Sequence, residues 1–223
     1  MGMNVTYRGP SDCPDVIPVF PLPGALLLPR GQMPLNIFEP RYLAMVDDAL
    51  KGDRVIGMIQ PEADGGGPAS RPRLYPVGCA GRITQLAETG DGRYLMTLVG
   101  ISRFRVVEEL PTVTLYRQCR VSFEPFAVDF AARAGEEEVD RAGVLRALRN
   151  FVAAADVKVD WKGIDEAPNE ALVNALCMMS PFAPREKQAL LEAPDLKTRA
   201  EVLIAITEIE LARGENGSEP TLQ

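Results

Sequence analysis

The sequence contains no histidine, although the chain is 223 residues long. Histidine is the side chain whose ordinary pKa lies closest to neutral pH, and it supplies the general base in Ser-His-Asp and Cys-His enzymes. It is also a common zinc ligand. Its absence excludes these arrangements, so an enzyme built on this chain would depend on carboxylates, lysine or a bound cofactor.

Cysteine is also scarce, and no two cysteines are close enough in sequence to form a Cys-x-x-Cys pair. Zinc clips and redox motifs need closely spaced thiols. We therefore predict neither a metal site nor a cofactor, and we interpret the cysteines as buried thiols in a reducing compartment. They are Cys13, Cys79, Cys119 and Cys177.

Long apolar runs are missing as well. None approaches the roughly 20 residues needed to cross a bilayer, and the N-terminal stretch MGMNVTYRGPSDCPD lacks the apolar centre of a secretory signal. The glycine triplet at 65–67 is not followed by the GK[ST] ending of a phosphate loop. These absences predict a cytoplasmic protein that does not enter membranes and has no nucleotide site of that type.

The formal net charge of −7 makes the chain a poor ligand for nucleic-acid phosphates, which Lys and Arg bind. We interpret the densest groups of arginines as solvated strand faces rather than as a phosphate-binding patch. The first group is Arg71 and Arg73, and the second is Arg103, Arg105, Arg117 and Arg120.

Short β-prone runs separated by Pro and Gly dominate the first half of the chain. The run ALLL at 25–28 has no alternation, which predicts a strand covered on both faces. Asp91-Gly92 is typical of a tight hairpin turn. Many short strands of this kind favour a partly closed barrel or sandwich. The other predicted strands lie at 16–20, 33–38, 54–60, within 74–107 and at 113–123.

The stretch PLNIFEPRYLAMV, at 34–46, joins one of these strands to a helix that ends near Gly52. Pro40 suits the first helical position. The Glu39 carboxylate would favour the positive N-terminus of the helix, and Arg41 is close enough to pair with it. No third group is placed to orient this pair for catalysis. We therefore predict that Glu39, Pro40 and Arg41 form a structural joint.

The pattern becomes helical after Glu124. A helix is predicted from Glu136, where three glutamates precede arginines in the order that suits the helix dipole. Others are predicted at 169–179, from Pro184 and from Pro194, and Trp161 is expected to pack in their core. The prediction is an α+β protein. A β-rich, barrel-like subdomain with one crossing helix occupies 16–123, a helical bundle occupies 124–213, and 1–15 and 214–223 are disordered tails.

Five sequence blocks carry a resemblance that spans roughly 16–213. They are VIPVFPLPGALLLPRGQMPLNIFEPRYLAMV, GDRVIGMIQ, LYPVGCAGRITQL, GDGRYLMTLVGISRFRV and PFAPREKQALLEAPDL. In these blocks the chain resembles the N-terminal substrate-binding domain of bacterial Lon protease. The resemblance implies the same two-part fold and contact with unfolded or partner polypeptide. Cereblon, a substrate receptor of a ubiquitin ligase, carries a similar domain.

Full Lon proteases add an ATPase module with a phosphate loop and a protease module with a Ser-Lys dyad. Neither motif is matched here, so we expect a stand-alone domain and carry over no catalytic residue. The principal hypothesis is a non-enzymatic module that binds polypeptide at a sheet edge or in a groove. Its candidate contacts lie at loop-strand junctions, where the alternative is that the apolar ones are core residues. They are Phe20, Leu22, Leu26, Arg30, Phe38 and Tyr42.

Two alternatives stay open. The protein could be an adaptor that docks on a full-length ATP-dependent protease, which differs from the first hypothesis only in its partner. It could also be a carboxylate-based hydrolase that uses Asp47 with Asp48, or Glu108 with Glu109. The second alternative is disfavoured because side chains of adjacent residues diverge on a helix and point to opposite faces of a strand. The oligomeric state is left undetermined.

Overall fold

The computed structural model describes residues 5–62, 71–155 and 159–216. The strands are β1 (Val16–Pro21), β2 (Gln32–Ile37), β3 (Val55–Ile59), β4 (Val77–Glu88), β5 (Tyr94–Glu109) and β6 (Arg117–Ser122). The α-helices are α1 (Pro40–Lys51), α2 (Arg141–Ala155), α3 (Trp161–Glu166), α4 (Asn169–Met179), α5 (Pro184–Glu192) and α6 (Leu196–Asn216).

The six strands form one sheet in the order β2-β5-β4-β3-β1-β6, and β5 also pairs with β6. Every strand except β2 therefore belongs to a closed ring. β1 and β3 run parallel, and the other pairs are antiparallel. Closure is possible because β5 is 16 residues long. Its first part pairs with β2 and β4, and its later part pairs with β4 and β6.

The ring encloses its own apolar cluster, which includes Phe104, Ile17 and Val121. The Phe104 ring lies against the backbone of two glycines. A Cβ on Gly78 would lie 2.5 Å from its Cζ atom, and one on Gly57 would lie 2.9 Å from it. Such distances are far below van der Waals contact, so these strand positions accept only glycine without repacking.

A second apolar cluster extends from the ring through α1 into the helical half, where it includes Cys177 and Leu190. The run at 25–28 lies within it. The prediction of a strand there is wrong, because these residues pair with no strand among the described residues. Leu28 is fully buried, and Asn174 Nδ2 of α4 donates to the Pro29 carbonyl at 3.3 Å. The run is apolar because it lies between the sheet and α4.

The prediction of a helix from Glu136 is also wrong, since α2 begins at Arg141 and Glu136–Glu138 form a 3-10 turn. The Glu136 carboxylate accepts a hydrogen bond from the Glu170 backbone N–H at 2.9 Å and therefore holds the start of α4. Asp140 Oδ1 accepts from Gly143 N at 2.9 Å and caps α2. The helices predicted at 169–179 and from Pro184 are present.

Three further expectations need correction. Residues 113–116 are a loop, and β6 begins only at Arg117. Trp161 is half-buried at the start of α3, where the Arg149 guanidinium lies 5.6 Å from its ring centre.

Residues 5–15 are not a disordered tail. Cys13 is buried, and Tyr7 accepts a hydrogen bond from Arg82 Nη1 at 3.0 Å. Of the predicted C-terminal tail, 214–216 belong to α6 and 217–223 lie outside the described residues.

Candidate functional site

A cleft of about 490 Å³ opens beside the N-terminal end of α1. Four segments of the chain form it: the turn after β1, the first turn of α1, the residues on either side of 63–70, and the loop before β6. The described residues that line it are Pro21, Pro23, Arg41, Tyr42, Pro61, Arg71, Pro72, Thr112, Thr114, Leu115, Tyr116 and Arg117.

The first turn of α1 supplies the aromatic floor of the cleft. Pro40 occupies the first helical position, and the Tyr42 backbone N–H donates to the Glu39 carbonyl at 2.9 Å. The Tyr42 ring stacks on Phe20 with ring centres 4.2 Å apart, and burial raises the pKa of its phenol. The Arg41 guanidinium lies 4.6 Å from the Tyr42 ring centre. The Glu39 side chain does not cap the helix and instead accepts from Arg41 Nε at 2.9 Å.

The loop before β6 forms the opposite wall and is anchored to α1. The Tyr116 hydroxyl donates to Asp48 Oδ2 at 2.9 Å. Burial, followed by this hydrogen bond, raises the pKa of Tyr116 to about 12. Beyond this anchor, Leu115 is 70% exposed and Val113 is fully exposed. The loop therefore holds Leu115 in water at the rim of the cleft, and Val113, which does not line the cleft, is in water as well.

The charge of the lining is one-sided. Among the described residues that line the cleft, three are arginines and none is Asp or Glu. Two of the arginines share one carboxylate, because Arg117 Nε and Arg71 Nε both donate to Glu109 Oε1 at 3.0 Å. Burial tends to raise the pKa of Glu109, but the hydrogen bonds from Arg117 and Arg71 outweigh it and lower that pKa. Three arginines thus face two carboxylates, since Arg41 pairs with Glu39, and the lining with its ion-pair partners has a small positive excess in a chain of net charge −7.

The structure brings together only some of the residues predicted as contacts. Tyr42 lines the cleft, Phe20 lies buried behind it, and Leu22 is half-buried against the core. Leu26 is 2% exposed in the core, so a peptide cannot reach it in this conformation. Phe38 is 60% exposed but lies outside the cleft, with the Arg93 guanidinium 6.0 Å from its ring centre.

Arg30 holds the two halves of the chain together rather than lining the cleft. Its Nε donates to Glu170 Oε1 of α4 at 3.0 Å, and its Nη1 donates to the Asp129 carbonyl at 2.6 Å. The sequence prediction missed the loop at 112–116 and the position of Arg71 and Arg117 in the lining of the cleft. Pro111 and the two threonines beside Val113 were the available signal that the apolar residues there belong to a loop.

The arginines predicted to cover solvated strand faces do not behave alike. Arg103 is buried and paired with Asp129, which corrects the prediction for that residue. Arg120 agrees with it, since it is exposed and its Nε donates to Glu108 at 2.9 Å. Arg117 lies in the cleft and is mostly buried.

The exposed sheet edge is a poor alternative to the cleft. Within the described residues β2 pairs with β5 alone, so its other side is an edge. Pro34 lies in the middle of β2, opposite Thr97, and has no backbone N–H. An added strand would therefore lack a central hydrogen-bond donor, which is a common means of protecting an edge.

The carboxylates considered for hydrolysis each have a separate partner. Asp47 accepts from the Tyr94 hydroxyl at 2.9 Å, whereas Asp48 binds Tyr116 and Lys51. Glu108 pairs with Arg120, and Glu109 pairs with Arg117 and Arg71. Among the described residues, the two carboxylates of each pair have different partners, and neither pair converges on a common group as a pair of catalytic acids would.

Within residues 5–62, 71–155 and 159–216, no three His, Cys, Asp or Glu side chains lie close enough together to hold a metal ion. Among the helices of that same part of the chain, none has both the length and the apolar character needed to cross a membrane. All four cysteines are buried and unpaired.

Known proteins with similar sequences and folds support one family. The ATP-dependent protease La (LON) substrate-binding domain family matches residues 16–208. Lon protease 2 of Myxococcus xanthus is 31% identical over 205 residues, which are 87% of this chain and 24% of that protein. Lon protease 2 of Sorangium cellulosum is 28% identical over 204 residues, 88% of this chain and 25% of that protein. The chain thus spans about a quarter of the length of these relatives.

Two solved structures share the fold. The Lon N-terminal domain protein from Xanthomonas campestris aligns with a TM-score of 0.61 and 23% identity, covering 85% of this chain and 97% of that chain. The N-terminal domain of Mycobacterium avium complex Lon protease aligns with a TM-score of 0.63 and 20% identity, covering 86% and 98%. They confirm the predicted α+β fold with a helical C-terminal part. The chain therefore belongs to the LON substrate-binding domain family.

Proposed function

We propose that this protein binds segments of other polypeptides in the cleft beside α1 and does not itself cleave them. The observation that carries the proposal is the exposure of Leu115 on an anchored loop at the rim of a ready-formed cleft. Membership of a substrate-binding domain family supports the class of ligand. The relatives are named as proteases, whose substrates are polypeptides.

The lining suits a flexible, extended ligand. Four prolines, namely Pro21, Pro23, Pro61 and Pro72, form much of the wall. Proline loses little conformational freedom on binding, so these surfaces are preorganised. An apolar side chain of the ligand can bury the exposed surface of Leu115, and full burial of such a side chain contributes about 1.5–3 kcal/mol. With few apolar contacts of this kind, binding should be weak.

A cytoplasmic location is a further part of the proposal. Four buried thiols without a disulfide are typical of a reducing compartment.

An adaptor that docks on a full-length protease would use the same apolar rim for a folded partner. A test with an unfolded chain distinguishes the two, because only the general binder recognises it in the absence of the protease.

The test measures, by fluorescence anisotropy, the binding of a permanently unfolded, labelled model protein. Leu115→Ser should weaken binding severalfold without changing the unfolding midpoint, since that side chain is mostly in water. Met179→Ser is the matched control, because Met179 is an exposed apolar residue of α4 that does not line the cleft. Equal binding by wild type and Leu115→Ser would contradict the proposed site. Hydrogen exchange with and without the ligand should show protection at 110–117 and at the start of α1.

A further inference from the structure

The cleft differs in charge from the rest of the molecule. The chain has 31 acidic and 24 basic residues, yet the described lining contains Arg41, Arg71 and Arg117 and no carboxylate. A basic lining in an acidic protein favours an anionic ligand in that one place. Resting on the proposed function, we propose that the preferred segments are acidic, with an Asp or Glu side chain next to an apolar residue.

The groove continues past the arginines. A second cavity of about 370 Å³ shares Arg71, Pro72 and Arg117 with the cleft and adds Arg73 and Glu109. The two cavities are therefore adjacent, and in the proposed binding mode an extended chain occupies both and has its ends outside. The carboxylate is therefore expected from a side chain within the segment rather than from the C-terminus of the ligand.

Two of the guanidiniums are available to an incoming carboxylate. Arg71 is 58% exposed, and Arg41 is 46% exposed and, among the described residues, forms its ion pair with the 43% exposed Glu39. Exposed ion pairs of this kind contribute about 1 kcal/mol or less, so they exchange partners easily. A guanidinium then binds the new carboxylate through paired N–H donors. Arg117 has a different role, because it is mostly buried and its Nη1 donates to the Pro72 carbonyl at 2.7 Å.

The apolar rim favours polypeptide over nucleic acid as the anion. Leu115 lies in the lining beside the arginines and is 70% exposed, so it suits an aliphatic side chain of a polypeptide. The net charge of −7 also repels a dense polyanion at long range, whereas a peptide with one or two carboxylates experiences little of that repulsion.

The experiment compares three labelled peptides of equal length in which a central leucine is flanked by Glu, by Gln or by Lys. At low ionic strength we expect the Glu peptide to bind about five- to tenfold more tightly than the Gln peptide, and the Lys peptide to bind most weakly. The preference should shrink as salt is added. In the double variant Arg41→Gln/Arg71→Gln the Glu and Gln peptides should bind alike. The control Arg120→Gln should keep the preference, because Arg120 is an exposed, paired arginine outside the lining.

Each outcome separates this inference from the proposed function. Equal binding of the Glu and Gln peptides would overturn the acidic preference but leave polypeptide binding intact, whereas failure of all three peptides to bind would overturn both. A neutral peptide with a free C-terminus that binds as tightly as the Glu peptide, while its amidated form does not, would assign the carboxylate to the chain end instead. Displacement of the Glu peptide by an equal concentration of single-stranded DNA would overturn the assignment to polypeptide.

Discussion

Arg103 and Asp129 form a buried ion pair that joins the closed ring of strands to the helical half. Arg103 Nη2 lies 2.8 Å from Asp129 Oδ1, and both its Nε and its backbone N–H donate to Asp129 Oδ2 at 2.9 Å. The two side chains are 1% and 7% exposed. The remaining donors of the guanidinium reach carbonyls at the end of α5 and beyond it, including Leu191 at 3.2 Å and Pro194 at 3.3 Å.

Removing the negative charge from this pair should be strongly destabilising. Asp129→Asn leaves a buried guanidinium uncompensated, and we expect a loss of about 3–5 kcal/mol in the free energy of unfolding. Urea unfolding at neutral pH measures it. Glu108→Gln is the control, since the exposed Glu108–Arg120 pair contributes less than about 1 kcal/mol. A loss for Asp129→Asn no larger than that of the control would show that the buried pair does not hold the two halves together.

The joint at the start of α1 should tolerate a neutral side chain. Glu39 makes no cap hydrogen bond and only an exposed ion pair with Arg41, so Glu39→Gln is expected to lower stability by less than about 1 kcal/mol. Peptide binding should decrease only in proportion to any loss of folded protein. The measurement combines the melting temperature with anisotropy of a labelled unfolded peptide. A variant that is fully folded but no longer binds would move Glu39 from the joint into the binding site.

The stabilisation that the Tyr116–Asp48 hydrogen bond gives to the cleft loop should be lost at alkaline pH. The pKa of Tyr116 is raised from 10.0 to about 12 by burial and by its bond to Asp48. Because the folded-state pKa exceeds the unfolded one, the stabilisation is fully present below about pH 10 and is lost as the pH rises towards 12. Wild type should therefore be more stable than Tyr116→Phe at pH 8, with a difference that shrinks above pH 10. Urea midpoints of both proteins test this, and a constant difference would contradict it.

The four thiols should be unreactive while the protein is folded. Burial raises the pKa of Cys13 and Cys177 to about 12 and that of Cys119 to about 11, and it raises the pKa of Cys79 further. Since the thiolate is the reactive species, a disulfide reagent at pH 8 should modify the native protein slowly and the denatured protein rapidly at four sites. Fast modification of any one thiol in native conditions would show that its surroundings open readily.

Local sequence signals predicted individual elements well where the backbone preference of a single residue decides the structure. Pro40 and Pro184 begin helices as expected, because the first helical position needs no backbone N–H donor and the fixed φ of proline suits it, which are local properties. The run at 25–28 and the residues 113–116 were predicted incorrectly. Both are apolar for tertiary reasons: the first lies between the sheet and α4, and the second lines a cleft.

The sequence by itself determined the class of fold, the order of its two halves and the absence of histidine chemistry, since composition and periodicity act along the chain. Only the tertiary structure decided which residues line the cleft. The cleft combines residues near positions 21, 42, 71 and 115, and Leu26 and Arg30 have other roles although they are close in sequence to Tyr42. No pattern along the chain encodes that assembly, because the segments meet through the pairing of β1 with β6, the Phe20–Tyr42 contact and the hydrogen bond from Arg117 to the Pro72 carbonyl.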